Sequence, residues 1–297
     1  MSVIDTRRQQ MFPVLDAGQI ETASRFASGS ARDFAPNEIV FEVGERQAPS
    51  WLVLKGSINT LRRDGLDREA AITTHCPGNF SGELSQLSGR ESLAEGRAGP
   101  DGCTALPFDP PHVRALMIGS AEVGEIMMRA FILRRVGLLE AQGGVGSVLV
   151  GHPGTAALAR IEEFLRRNGY PYTVLDAAKD ADGHAMVERL GVLPAQLPLM
   201  VCPNGTVLKC PTEAEAGICL GITPDLEPGK VYDVAVVGAG PAGLAAAVYA
   251  ASEGLSVLVL DSKAFGGQAG ASARIENYLG FPTGISGLAL TARAFNQ

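Results

Sequence analysis

The sequence predicts a multidomain protein of mixed architecture, a β-rich N-terminal part closed by a helix and then two α/β parts. Three patterns carry this prediction. Short apolar runs separated by glycines occupy residues 12 to about 108. An Asn204-Gly205 pair stands between two apolar runs in the middle of the chain, a strong hairpin signal. Near the C-terminus, an apolar run leads into Gly238-Ala-Gly240-Pro-Ala-Gly243, an Ala-rich helical stretch and a second apolar run. The 297 residues are 46% apolar and 19% charged, enough for two or three cores.

The N-terminal part starts with a brief helix over Phe12 to Ser24, with Leu15 and Ile20 as apolar contacts. Strands follow at residues 32–34, 39–41, 51–54, 58–62 and 70–74, with Gly44, Gly56, Gly65 and Gly78 as turns between them. This spacing reads as a β-barrel or jelly roll. One long amphipathic helix, about Pro111 to Glu140, closes the part, with Val113, Leu116, Val123, Met127 and Phe131 on its apolar face. Residues 141–146, AQGGVG, read as a flexible linker.

The middle part alternates strand and helix. Strands are predicted at Ser147–Val150, Tyr172–Leu175, Leu199–Cys202 and Val207–Cys210, and helices at Ala156–Asn168 and Gly183–Leu190. Leu158, Ile161 and Leu165 mark the buried face of the first helix. Residues 221–230, with two prolines, link to the last part.

In the last part each residue of the glycine pattern has a physical reason. Gly238 permits a tight turn, Gly240 lets backbone N–H groups approach a pyrophosphate, and Gly243 lets the helix pack on the sheet. Pro241 and Ala242 open the helix, whose N-terminus presents unpaired N–H groups and a positive dipole end. Asp261 ends the second strand, 18 positions past Gly243. Strand, glycine turn, helix, strand and acid together make a Rossmann-type dinucleotide-binding unit. A carboxylate suits a ribose 2′-OH and repels a 2′-phosphate, which points to FAD or NAD. The glycines break the apolar run, so it falls short of the ~20 residues of a membrane span.

Composition excludes several classes. The net charge is −7 with no basic stripe, so nucleic-acid binding is not indicated. The N-terminus lacks the apolar core of a secretion signal. The five cysteines (76, 103, 202, 210, 219) form no CxxC and read as reduced thiols of a cytoplasmic protein. The four histidines lie far apart and suggest no metal site.

Three resemblances follow from these residues. The segment Gly266-Gly267-Gln268, with Glu276-Asn277-Tyr-Leu-Gly-Phe-Pro282, resembles the thioredoxin reductase family of flavoproteins. That resemblance implies FAD as cofactor, held also by Gly267, Gln268 and Asn277. It implies electron flow from NAD(P)H through flavin to a disulfide or other acceptor, a redox protein as partner, and a homodimer. NADPH and a redox cysteine pair are expected only in a longer form, and no catalytic residue is assigned. The chain alone is expected to bind FAD weakly or not at all, and to be inactive as a reductase.

Val43-Gly44-Glu45, Trp51 to Gly56, and Gly78-Asn-Phe-Ser-Gly82-Glu83-Leu84 resemble the cyclic-nucleotide-binding domain, a jelly roll with a C-terminal helix. The likeness implies that Gly82, Glu83 and Leu84 contact a small ligand, Glu83 taking a ribose 2′-OH. That family has an Arg nine residues after the Glu, where this chain has Ser92. Arg90 and Arg97 are the cations nearby. A lost charge-assisted partner to a buried phosphate costs several kcal/mol, on the order of the larger hydrogen-bond penalties.

Pro198 to Gly205 resembles the cis-proline segment of a thioredoxin-like fold. The turn where that family carries CxxC is Gly151-His-Pro-Gly-Thr155, with no thiol, so a docking or spacer role is expected. The expected domains are a cyclic-nucleotide-binding-like jelly roll over 1–140, a thioredoxin-like domain over 147–220 and an incomplete FAD-binding domain over 230–297. The competing expectation is a small-ligand sensor with a vestigial flavin unit.

Overall fold

The structure is a computed structural model that describes residues 3–63, 69–88, 90–140, 146–223, 226 and 228–297. Gly65, most of the 141–146 linker and parts of the 221–230 linker lie outside the described residues. The architecture is mixed α/β, with one all-antiparallel sheet, one mixed sheet and one parallel pair. It divides into two compact units, residues 1–161 with 171–222, and residues 162–170 with 223–297.

The first unit opens with α1 (Val3–Met11) and α2 (Ala17–Ser24). The single helix expected over 12–24 is therefore corrected: residues 13–16 are not helical, and Asp16, in extended backbone, caps α2 in a reciprocal box with Gln19. Strands β1 (Arg32–Phe34), β2 (Ile39–Phe41), β3 (Ser50–Arg63), β4 (Glu69–His75) and β5 (Glu95–Phe108) form one antiparallel sheet. Two strands expected on either side of Gly56 are one strand. Gly56 takes a positive φ of 68° inside β3, where the register against β5 shifts, so it makes a bulge rather than a turn. The central strand β5, which pairs with β1, β2 and β3, was not anticipated. Its core packs Phe34 edge-on to Trp51, at 5.1 Å between ring centres, with Phe41, Val53, Ile58, Ala98 and Ala105 around them.

The long helix expected over 111–140 is two helices, α4 (Pro110–Gly119) and α5 (Ala121–Glu140), broken at Ser120 in extended backbone. The break has a packing cause. A Cβ at Gly119 would lie 2.4 Å from the Phe26 ring, and one at Gly124 would lie 2.4 Å from the Met117 carbonyl oxygen. The two glycines let α4, α5 and Phe26 approach where a side chain would clash. A short helix, α3 (Ser85–Ser88), lies inside the Gly82-Glu83-Leu84 segment's continuation.

The rest of the first unit holds β6 (Ser147–Gly151), the first half of α6 (Ala156–Arg167), β7 (Tyr172–Asp176), α7 (Ala181–Arg189), β8 (Leu199–Val201), β9 (Val207–Lys209) and α8 (Glu213–Cys219). Sheet order is β7-β6-β8-β9, with β6 and β7 parallel and the other pairs antiparallel. Leu158, Ile161 and Leu165 are buried, as their spacing predicts. The Asn204-Gly205 hairpin is present, with Gly205 at φ 82° and the Asn204 side-chain oxygen accepting from Thr206 N. The Leu197–Pro198 peptide is cis. The Asn204 amide donates to Glu91, which also accepts from Arg46, so the hairpin tip meets the loop before β5.

The second unit contains β10 (Val234–Val237), α9 (Pro241–Ser252), β11 (Val257–Leu260), α10 (Gly267–Gly270) and α11 (Gly287–Asn296). β10 and β11 pair in parallel, Val234 opposite Val257 through Val237 opposite Leu260. Among the described residues no helix is long and apolar enough to cross a membrane.

One cysteine expectation is corrected. Cys202 and Cys219 form a disulfide, leaving Cys76, Cys103 and Cys210 free. Cys202 follows β8 directly and Cys219 ends α8, with Ala216 in that helix and Leu220 just after it both buried. Their Cα atoms are 6.7 Å apart, inside the bridging range. A separation of 17 residues matches no redox or metal motif, so the pairing is tertiary information. Thiol titration in denaturant without reductant should count three free thiols, and five after reduction. Cys219→Ser should lower unfolding stability by about 3 kcal/mol on the loop-entropy estimate, measured by urea unfolding. A count of five without reductant would remove the bridge.

Candidate functional sites: an open glycine turn and a buried cavity

At the end of β10 the chain turns through Gly238 at φ 99°, and Gly238 N donates to Leu260 O at 2.7 Å. Gly240 is the N-cap of α9, without a side-chain cap, and Pro241 and Ala242 are exposed at its first turn. A Cβ on Gly238 or Gly240 would meet nothing within 4 Å, so the backbone stands open on that side. Gly243 is the opposite case: a Cβ there would lie 1.9 Å from the Gly238 carbonyl oxygen. Only glycine lets α9 start this close to the turn. The arrangement leaves a helix N-terminus facing an open, side-chain-free surface, which suits a phosphate.

The Gly266-Gly267-Gln268 turn packs on this one. Gly266 N donates to Ala239 O at 2.7 Å, and a Cβ on Gly267 would lie 3.0 Å from Gly240 Cα. Gln268 is exposed on α10, and Asn277 is exposed on the bend after the Ile275–Ile285 bridge. Asp261 does more than the sequence indicated. Its carboxylate accepts from Ala239 N at 2.8 Å, Lys263 N at 2.8 Å and Ala264 N at 3.1 Å, tying β11 to the glycine turn. Partial burial pushes its pKa up, but these three N–H groups and the Lys263 charge outweigh it and hold the carboxyl below the usual range. Charged Asp261 thus fixes the turn and keeps lone-pair capacity to spare.

In the first unit, a cavity of about 260 Å³ lies between the sheet and α5. Met11, Phe12, Phe41, Ile72, Leu93 and Leu138 supply most of its wall. Gly82 and Glu83 line it, as does Ser92, while Leu84 does not. Glu83 is buried and accepts from Arg135 Nη2 at 2.6 Å and Nε at 2.8 Å, and from Ser85 N at 3.0 Å. The Ser92 hydroxyl donates to Ala94 O. Neither Arg90 nor Arg97 lines the cavity, and Arg97 pairs with Glu95 and Glu69.

The buried cation at the cavity is Arg134, which the sequence reading missed; the exposed Arg8 also lines it. It donates through Nε to Met11 O and through Nη1 to Gly82 O, and its guanidinium lies 4.8 Å from the Phe80 ring centre and 5.2 Å from that of Phe12. Its Nη2 has no partner, nor do His75 Nδ1 and Thr60 Oγ1, and all three residues are buried and line the cavity. Burial lowers the Arg134 pKa to about 9, partly opposed by Glu83, so it is charged at pH 7. The available signal was Arg134-Arg135 interrupting an otherwise apolar helical run.

Residues 233–293 match the family model described as FAD dependent oxidoreductase. The same part is similar to curated thioredoxin reductases. That of Ureaplasma parvum is 44% identical over 68 residues, 23% of this chain and 22% of the relative. That of Aquifex aeolicus is 48% identical over 64 residues, 22% and 20% of the two chains. That of Treponema pallidum is 57% identical over 56 residues, 19% and 18%. The chain thus spans about a fifth of the length of these relatives. Solved structures with some likeness include the Thermus thermophilus catabolite activator protein, at 20% identity and TM-score 0.38, covering 44% of this chain and 60% of that one. Another is the N-terminal domain of a Streptomyces coelicolor transcriptional regulator, at 22% identity and TM-score 0.34, covering 47% and 94%.

His75 makes the cavity wall acid-sensitive. Burial, with the Arg134 charge second, lowers its pKa from 6.5 to about 3. Above pH 6.5 the histidine is neutral in both folded and unfolded chains. Below it, the unfolded chain takes a proton that the folded chain refuses, so stability falls as pH drops towards 3. Between pH 7.5 and 5.0 this costs about 2 kcal/mol. Urea unfolding of His75→Gln should show a pH-dependent loss smaller by about that amount. Equal losses in both proteins would contradict a buried neutral histidine.

Proposed function

We propose that this chain carries the flavin-cradling part of an FAD-dependent, thioredoxin-reductase-like oxidoreductase behind an N-terminal regulatory module. The observation that carries this reading is the open glycine turn at the N-terminus of α9, braced by Asp261 and the Gly266-Gly267 turn. The family match over residues 233–293 and the similarity to thioredoxin reductases support it. Gly238, Gly240, Pro241, Ala242 and Gly243 would receive the pyrophosphate on backbone N–H groups and the helix dipole. Asp261 would take a ribose hydroxyl with its remaining lone pair, and Gly267, Gln268 and Asn277 would complete the cradle. Bound there, FAD would supply two-electron transfer from NAD(P)H to a disulfide or another acceptor of a redox protein partner. The residues of this chain would hold and orient it.

Our reading keeps three domains, over 1–140, 147–220 and 230–297, in a cytoplasmic homodimer. The β7-β6-β8-β9 order, with Pro198 opening β8, supports a thioredoxin-like middle domain. Its cysteine-free turn at Gly151–Thr155 supports docking rather than thiol exchange. A second reading, a small-ligand sensor with a vestigial flavin unit, is favoured by the cavity lined by Gly82, Glu83 and Arg134.

Two glycine variants separate the roles. Gly243→Ala forces a clash with backbone and should destabilise the second unit and abolish FAD binding. Gly240→Ala has space and an ordinary φ of −70°, so the melting temperature should hold. Its methyl would occupy the phosphate surface and should weaken FAD binding at least about tenfold, or 1.4 kcal/mol. Titration followed by flavin fluorescence, with ADP as competitor, reads both. Binding unaffected by Gly240→Ala would reject the cradle.

A further inference from the structure

The geometry points to the cavity of the first unit as a site for a small organic monocarboxylate with an apolar body, its carboxylate held by Arg134. The inference deepens, and rests on, the reading of that unit as a ligand-controlled module. It starts from charge. The buried cluster Glu83, Arg134 and Arg135 carries one net positive charge, and Glu83 is already committed to Arg135 and Ser85. Arg134 is the excess cation, 7% exposed, with Nε and Nη1 donating to backbone carbonyls, aromatic rings around it and Nη2 unpartnered. Glu83 and two carbonyls compensate this buried cation only in part, and a monoanion on Nη2 lowers the remaining cost.

Polarity and size then select the body of the ligand. His75 and Thr60 each bring one buried polar atom without a partner to the same cavity, enough for two further hydrogen bonds to a ligand. The remaining wall is mainly Met11, Phe12, Phe41, Ile72 and Leu93, with the exposed Arg8 as a second, solvated cation in the lining. At about 260 Å³ the cavity falls below the roughly 300–1,000 Å³ of drug-sized sites. A cyclic nucleotide fits these groups less well. The Glu83 carboxylate that would accept from its ribose is engaged, Ser92 donates to Ala94 O, and the apolar wall offers little to the polar edge of a base.

The test is isothermal titration of the full chain with octanoate and 4-phenylbutanoate at pH 7.5, with 1-octanol and cyclic AMP beside them. At least one carboxylate should bind saturably and at least tenfold tighter than octanol. Arg134→Gln should reduce carboxylate affinity at least tenfold while leaving octanol unchanged. Arg134 also braces Met11 and Gly82, so that variant could unfold. Thr60→Val, which removes an unpartnered hydroxyl, should melt no lower than the parent yet bind the carboxylate several-fold more weakly. Cyclic AMP binding in place of the carboxylates would overturn the ligand class while the module reading stands. No binding by any of the four, with Thr60→Val simply more stable, would overturn both. Carboxylate affinity unchanged in every folded variant would overturn the role of Arg134.

Discussion

A single buried guanidinium organises the first unit. Arg134 leaves the middle of α5 and donates to Met11 at the end of α1 and to Gly82 beside the sheet. Phe12, Phe80 and Phe131 surround it. Three pieces of chain distant in sequence are thus held by one side chain, and a buried charge with directional donors specifies their geometry more sharply than apolar contact can. Its neighbour Arg135 repeats the device on Glu83 and Ser85. The helix that sequence alone reads as an apolar lid is therefore also the electrostatic keel of the sheet.

The legible parts of the chain were those where local pattern and tertiary role coincide. The strand–turn–helix–strand unit at 234–261 was readable because its glycines serve the turn they sit in. The Asn204-Gly205 hairpin and the buried stripe of α6 were readable for the same reason. Strand β5 was not, because Gly96, Gly99, Pro100 and Gly102 imitate a loop. Their cause lies elsewhere in the chain: a Cβ at Gly96 would lie 2.2 Å from the Phe41 ring, and one at Gly99 would lie 2.1 Å from Ser57 Oγ. The break at Ser120, the disulfide and the cavity cation share this origin in partners remote in sequence. Motif resemblance pointed to Glu83 for the cavity but had no means of finding the arginine supplied by α5.

The second unit shows two glycines of one motif doing unlike work. Gly243 is required by the protein's own backbone, whereas Gly240 is needed by nothing the chain itself contains. An unfilled allowance of that kind is a mark of a surface shaped for something else. Around it the parallel pair β10–β11 leaves Val237 85% exposed, and Leu279 beyond it 95%, so this unit covers much less of its apolar surface than the first.

Residues 91–94 occupy two places at once. Ser92, Leu93 and Ala94 line the cavity, while Glu91 holds Arg46 and the Asn204 amide at the tip of the β8–β9 hairpin. That hairpin begins at Cys202, whose N–H donates to Thr206 O and whose sulfur is bonded to Cys219. A segment this short acts as a lever with one arm in each neighbourhood. The cavity wall and the anchor of the disulfide-bonded hairpin thus share one four-residue segment, which answers to both neighbourhoods.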